Sequence, residues 1–146
     1  MAVRPYQLPC LRVINGDYYR NGQTQMVIPF ESNMIKLSVS DEIKRGNYRI
    51  GVIEDDVFKV KYVGRSTDQN LQTRVLQHKN TNDAHYYDDN HYFFYSSANS
   101  DEEAIRQECI DYHSFGEDEF LDNEVHPSLQ DGESCSFPGC DHVGGE

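Results

Sequence analysis

The sequence predicts a compact α/β domain in which a small central β-sheet is flanked by helices. Strand-like runs at residues 48–64 and 91–97 alternate along the chain with helical patterns at about 70–79 and 101–113. A chain of 146 residues suits one domain that is long enough to bury a real core. The predicted order of these elements is therefore strand, strand, helix, strand, helix.

The first half of the chain carries the turn and strand signals. Asn15-Gly16 and Asn21-Gly22 flank a pair of tyrosines, which is typical of a hairpin or an irregular cap. Residues 34–40, MIKLSVS, alternate apolar and polar side chains, so they predict a half-buried strand. Residues 48–64 read as a strand, an acidic turn and a second strand.

Period-2 alternation in the second of these strands places Phe58, Val60 and Tyr62 on one face. The residues after it supply helix signals. Ser66, Thr67 and Asp68 are candidate N-caps for the helix at about 70–79.

Later in the chain, the aromatic run HYFFYSS at 91–97 predicts a buried strand. Ser100 and Glu103 form a capping-box pattern that opens the helix at 101–113. Pro127 is predicted to end regular structure.

Charge is segregated along the chain, although the total is -12. Residues 1–82 hold 12 Lys and Arg against 8 Asp and Glu, whereas no Lys or Arg follows Arg106. A basic surface on the first half remains compatible with a nucleic-acid partner. The sequence has no apolar run of membrane-spanning length, and its start lacks the apolar core of a signal peptide, so a cytoplasmic location without membrane association is expected.

Polar side chains occupy predicted inward positions on both helices. Leu71, Arg74, Val75 and His78 have the i, i+3, i+4, i+7 spacing of one helical face. On the second helix, Glu108 lies within an apolar stripe, where a carboxylate is costly unless it is paired or binds a metal.

Two interpretations fit these positions. In the structural one, Arg74 lies at the edge of the stripe or pairs with Glu108, and His78 is a satisfied core histidine. In the functional one, the side chains serve phosphodiester hydrolysis: arginine binds phosphate, glutamate binds a hard divalent cation, and a tyrosine or histidine orients or deprotonates water. Gly64 would allow a close approach of the backbone to a ligand.

The series of motifs resembles the GIY-YIG nuclease superfamily over about residues 48–127. The matching residues are, in order, Tyr62-Val63-Gly64, Arg65, the helix LQTRVLQH with Arg74 and His78, the helix EEAIRQECIDYH with Glu108, and Asn123 ahead of Pro127. The resemblance implies a small three-layer α/β domain with a central, mainly antiparallel sheet. It also implies a metal-dependent endonuclease that cleaves DNA with one Mg²⁺ or Mn²⁺. Whether RNA is also a substrate, and whether the protein is a dimer, are left open.

The resemblance also implies roles for individual residues. Tyr62 would activate or position the nucleophile, Arg74 would stabilise the scissile phosphate, and Glu108 would hold the metal. His78 would lie near the reaction centre. For nucleic-acid contacts and the shaping of the site, the candidates are Arg65, Lys61 and Asn123.

One position departs from the family pattern. The first motif of the family ends in a tyrosine, but the two registers considered place Arg49-Ile50-Gly51 or Gly51-Val52-Ile53 there. Tyr48 is nearby and would need a register shift to substitute. A catalytically weak or inactive module that binds nucleic acid or protein is therefore the alternative to an enzyme.

The segments outside the match are residues 1–47, expected to cap the core, and 128–146, an acidic tail. The tail contains Cys135, Cys140 and His142, which are candidate zinc ligands. A fourth ligand would have to come from elsewhere, with His126 and Cys109 as candidates. Incidental thiols in a mobile tail are the other interpretation.

Overall fold

A computed structural model describes residues 6–14, 17–54 and 57–144, with side chains for 27–54 and 58–144. Its elements, in chain order, are β1 (Tyr6–Ile14), β2 (Asp17–Pro29), α1 (Ser32–Ser38), β3 (Gly46–Glu54), β4 (Val57–Ser66), α2 (Leu71–Gln77), β5 (Tyr92–Ser97), α3 (Asp101–Ser114) and α4 (Glu117–Phe120). Among these described residues, no helix is both long and apolar enough to cross a membrane.

The strands form an antiparallel sheet in the order β1-β2-β5-β3-β4. The hairpin of β1 and β2 joins the rest through two pairs, Ile28 with Phe93 and Pro29 with Tyr92. The predicted N-terminal hairpin is confirmed, because Ile14 pairs with Asp17. Its Asn15-Gly16 signal lies outside the described residues, as does the acidic turn at 55–56.

Apolar side chains cover both faces of the sheet, which makes the domain three-layered. One core cluster joins the sheet to α1 and α2 and includes Tyr48, Ile50, Leu71 and Val75. The other joins it to α3 and to the residues on either side of α4; its members include Phe58, Val60, Val63, Tyr112 and Leu121. The predicted small α/β domain with an antiparallel sheet and flanking helices is confirmed.

The strand predicted for residues 34–40 is wrong, because most of this segment belongs to α1. Alternation would place Ile35, Leu37 and Val39 on one buried face. In the helix, Ile35 and Val39 are one turn apart and fully buried, whereas Leu37 is 82% exposed. Helical and strand periods agree at Ile35 and Val39, so the segment was ambiguous in sequence.

The N-cap predicted for α2 is wrong, and the one predicted for α3 is confirmed. The N-cap of α2 is Asn70, whose side chain accepts from the amide of Thr73 at 2.7 Å, and not Ser66, Thr67 or Asp68. The predicted cap of α3 is confirmed, since the Ser100 hydroxyl accepts from the amide of Glu103 at 3.1 Å.

Candidate active site

A β-bulge in β4 determines the direction of Tyr62. Ile50 pairs with Tyr62, but the next pair is Gly51 with Val60, so Lys61 has no partner across the hairpin. An extra residue on one strand reverses the alternation beyond it. As a result Tyr62 faces α2, on the side of the sheet opposite Val60.

Gly51 is the residue that permits this irregularity. A Cβ atom at Gly51 would lie 2.0 Å from the carbonyl oxygen of Lys59, which is closer than any side chain allows. The sequence-based placement of Phe58, Val60 and Tyr62 on one face is therefore wrong for Tyr62. The bulge is a local feature that alternation alone does not reveal.

Tyr62, Arg74 and Glu108 border one open cleft of about 350 Å³. They come from β4, α2 and α3 respectively, and the first and last of them are separated by 46 positions in the sequence. The cleft is lined mostly by polar groups, including Tyr62, Gly64, Arg65, Asp68, Arg74, His85, Glu108, Asn123, Glu124, His126 and Ser128.

Glu108 is paired with Arg65, not with Arg74. Arg65 Nη1 lies 2.7 Å from Glu108 Oε1 and also donates to the carbonyl oxygen of Ser128 at 2.6 Å. Burial raises the pKa of Glu108 to about 7, although the Arg65 guanidinium acts in the opposite direction. The ion pair considered from sequence thus forms with a different arginine, the one expected to contact nucleic acid.

Arg74 retains hydrogen-bonding capacity at the cleft. Its Nη1 donates to Gln77 Oε1 at 2.8 Å, and the guanidinium interacts with Tyr48 and Tyr62. A guanidinium carries five N–H donors, so the bond to Gln77 does not saturate it. Arg74 can therefore bind an anion that enters the cleft.

The Tyr62 hydroxyl is held in its neutral form. Burial, together with the nearby Glu108 carboxyl, raises its pKa to about 12, although Arg74 acts in the opposite direction. The Tyr62 ring packs against the His85 ring at a tilt of 35°, with 4.7 Å between ring centroids. A neutral phenol can position a water molecule, but at neutral pH it is a poor base.

Tyr48 lies behind this surface and contacts His78. His78 Nδ1 faces the carbonyl oxygen of His85 at 2.8 Å, so it carries the proton and donates. The other ring nitrogen, Nε2, therefore accepts from the Tyr48 hydroxyl at 2.7 Å. The centroids of the Tyr48 and Tyr62 rings are 6.2 Å apart, so a second tyrosine does lie beside Tyr62. Tyr48 belongs to β3, where it pairs with Gly64 of β4.

His78, Lys61 and Asn123 were also candidates from sequence. His78 is 2% exposed and supports Tyr48 from within the core, so it is not part of the cleft surface. Lys61 is the bulge residue, and its carbonyl accepts from the amide of Asp122. Asn123 joins the backbone of Val63 through two hydrogen bonds of 3.0 and 2.9 Å, which fixes one wall of the cleft.

The burial of His78 predicts an acid-sensitive stability. Burial lowers its pKa to about 4, from about 6.5 in an unfolded chain. The folded state therefore loses about 3 kcal/mol from this group as the pH falls from about 7 to about 4, because the unfolded chain binds the proton more readily. Urea unfolding of the wild type and of His78→Gln across this range should give curves that converge at low pH. Parallel curves would contradict the prediction.

The cleft suits a hard divalent cation. Mg²⁺ and Mn²⁺ are bound by few carboxylates and retain several waters. Glu108 supplies one carboxylate in a space open to solvent, and Asp68 and Glu124 lie on the same lining. The donor set therefore fits one such ion with Glu108 as its protein ligand.

The predicted zinc residues are only partly brought together. Cys135 and Cys140 lie with His126 and His113, and one ligand atom from each falls within 4.8 Å of all the others. His142 lies outside this group, with its ring stacked on His126 at 4.1 Å between centroids. Sequence reasoning named His126 as a candidate and missed His113, which lies at the end of α3.

His85 is a cleft residue that sequence reasoning also missed. It occupies the loop between α2 and β5, where no periodic pattern marks an inward side chain. Its only sequence signal is the aromatic character of the segment HYY that it begins.

Comparison of the chain with protein-family models, with curated proteins and with solved structures finds no match. What the protein does is therefore inferred from the geometry of the cleft and from the chemistry of its side chains.

Proposed function

We propose that the protein is a metal-dependent endonuclease that hydrolyses phosphodiester bonds in DNA, with a GIY-YIG-like core at residues 48–127 and a cytoplasmic location. The observation that carries the proposal is the convergence of Tyr62, Arg74 and Glu108 on one open, polar cleft. Together these side chains supply a carboxylate for a metal ion, a cation for the phosphate and a hydroxyl that can position water, which suits phosphoryl transfer assisted by one metal ion.

Arg74 binds the scissile phosphate. Its guanidinium offers a planar set of donors, and the partly buried position strengthens its attraction for the charge that develops on phosphoryl oxygens. Tyr62 holds the attacking water through its neutral hydroxyl, next to Arg74. Tyr48 and His78 keep the Tyr62 ring in place from behind.

Glu108 is the ligand for one Mg²⁺ or Mn²⁺ ion, which would polarise the phosphodiester and stabilise the leaving oxygen. Its pKa of about 7 means that the carboxyl is close to half protonated at neutral pH before a cation binds. Arg65 holds the carboxyl in position through Oε1. Arg65 also places a second positive charge at the cleft for the DNA backbone.

The test is cleavage of supercoiled plasmid and of nicked or branched DNA with Mg²⁺, with Mn²⁺ or with EDTA. The wild type should cleave in either metal and not in EDTA. Arg74→Gln should slow cleavage by about 100-fold or more, because it removes the phosphate-binding charge. Arg106→Gln is the matched control, since Arg106 is exposed on α3. No cleavage by the wild type, or equal cleavage by the two variants, would overturn the proposal.

The second candidate is a catalytically weak module that binds nucleic acid or a protein, and the Arg65–Glu108 ion pair favours it. A carboxylate already paired at 2.7 Å binds a cation less readily than a free one. Such a module would bind DNA with an affinity that falls steeply with salt, and would not cleave it. An absence of DNA binding at low salt would point to a protein partner.

A further inference from the structure

We infer that His113, His126, Cys135 and Cys140 form a structural Zn²⁺ site. The four residues come from the end of α3, from the loop after α4 and from a small C-terminal hairpin. None of the four is the proposed ligand of the catalytic ion, although His126 also lines the cleft.

Three of the six distances between the four ligand atoms match the edges of a tetrahedral zinc site. Tetrahedral bonds of about 2.0 Å to nitrogen and 2.3 Å to sulfur give edges of about 3.3 Å between nitrogens and about 3.5 Å between nitrogen and sulfur. Here His113 Nε2 and His126 Nε2 are 3.2 Å apart. Cys135 Sγ lies 3.5 Å from His113 Nε2, and Cys140 Sγ lies 3.5 Å from His126 Nε2.

Hydrogen bonds at the Nδ1 atoms of His113 and His126 fix the ring tautomer that a metal ligand requires. His113 Nδ1 lies 2.6 Å from Glu117 Oε2, and His126 Nδ1 lies 2.9 Å from the carbonyl oxygen of Pro127. A carboxylate and a carbonyl can only accept, so both Nδ1 atoms donate and the Nε2 lone pairs of the neutral rings are free. Two such lone pairs 3.2 Å apart repel each other unless a cation lies between them.

A turn brings the two thiols to the histidines. Ser134 bridges to Val143, and the amide of Cys135 donates to the carbonyl oxygen of His142 at 2.9 Å. Gly139 adopts φ +90° between the cysteines, a conformation that favours glycine. Two thiolates and two imidazoles in a tetrahedral arrangement favour Zn²⁺ over hard cations.

The ion would fix a wall of the cleft. His126 is followed by Pro127 and Ser128, and the Ser128 carbonyl accepts from Arg65, the partner of Glu108. A bond from zinc to His126 therefore holds this segment against α3. Zinc binding contributes folding free energy to such metal-dependent segments.

Metal analysis of the full chain, purified without chelator, tests the site. The wild type should contain about one zinc per chain. His126→Gln should lose it, whereas His142→Gln should retain it; the second is a matched control because His142 is exposed and its ring only stacks on that of His126. Less than about a tenth of a zinc in the wild type, or equal zinc in both variants, would overturn the inference.

Cobalt substitution keeps the inference testable if His126→Gln does not fold. Wild-type protein loaded with Co²⁺ should show the intense visible bands of tetrahedral cobalt together with thiolate charge transfer. The weak spectrum of octahedral cobalt, or a Cys135–Cys140 disulfide in freshly purified protein, would overturn it. Neither measurement depends on nuclease activity.

Discussion

Glu108→Gln is expected to lower DNA cleavage by about 100-fold or more while the protein remains folded. The amide keeps the size of the carboxyl and can still accept from Arg65, but it carries no charge for a divalent ion. Burial already raises the pKa of Glu108 to about 7, so the neutral amide also relieves a desolvation cost. That relief offsets the weaker bond to Arg65, and the free energy of unfolding should change by less than about 1 kcal/mol.

Glu102→Gln is the matched control for this variant. Glu102 lies on the same helix and is exposed, so the same change there should leave cleavage and stability unaltered. Cleavage rates at several Mg²⁺ and Mn²⁺ concentrations, with urea unfolding on the same samples, separate the outcomes. A Glu108→Gln variant that cleaves normally but unfolds more easily would show that the Arg65–Glu108 pair is purely structural.

Elements with strong local signals could be predicted from the sequence. The hairpin of β3 and β4, the aromatic strand β5 and the Ser100 cap of α3 each follow from residues close together in the chain. The segment at 34–40 failed because alternation and helical spacing both accommodate Ile35 and Val39. Only tertiary packing, which leaves Leu37 exposed, distinguishes them.

The three residues proposed for catalysis could be identified from the sequence, but the ion pair within the cleft could not. Tyr62, Arg74 and Glu108 were identified because polar types occupied unusual positions or fitted a resemblance. That Arg65 and not Arg74 pairs with Glu108 depends on the path of β4 beyond the bulge at Lys61 and on the placement of α3 across the sheet. The spacing of residues in the sequence does not show which of two arginines lies closer to a glutamate on a distant helix.

The C-terminal cluster shows the same limit. Cys135 and Cys140 were visible as a pair because they are close in sequence. His113 belongs to a helix that was read for its apolar stripe, and its role depends on where the C-terminal hairpin lies against that helix. His142 was chosen because it is near the cysteines in sequence, yet it lies outside the cluster with its ring stacked on that of His126.

Gly64→Ala is expected to lower the free energy of unfolding by about 2–4 kcal/mol and to weaken any activity of the cleft. A Cβ atom at Gly64 would lie 2.4 Å from both Cζ and Oη of Tyr48. Tyr48 is fully buried, so its ring has no free space into which to move. Displacing the ring would also break the hydrogen bond from its hydroxyl to His78 and disturb the packing of Tyr62.

A double-mutant cycle with Tyr48→Leu tests this cause directly. Leucine keeps an apolar side chain but lacks the outer ring atoms and the hydroxyl that meet the new Cβ atom. In the Tyr48→Leu background, Gly64→Ala should therefore cost less than about 1 kcal/mol, and the two changes should show strong coupling. Tyr48→Phe is the control, because Cζ remains in place and the penalty of Gly64→Ala should persist. Additive effects in the leucine background would contradict the contact with Tyr48 as the cause of the penalty.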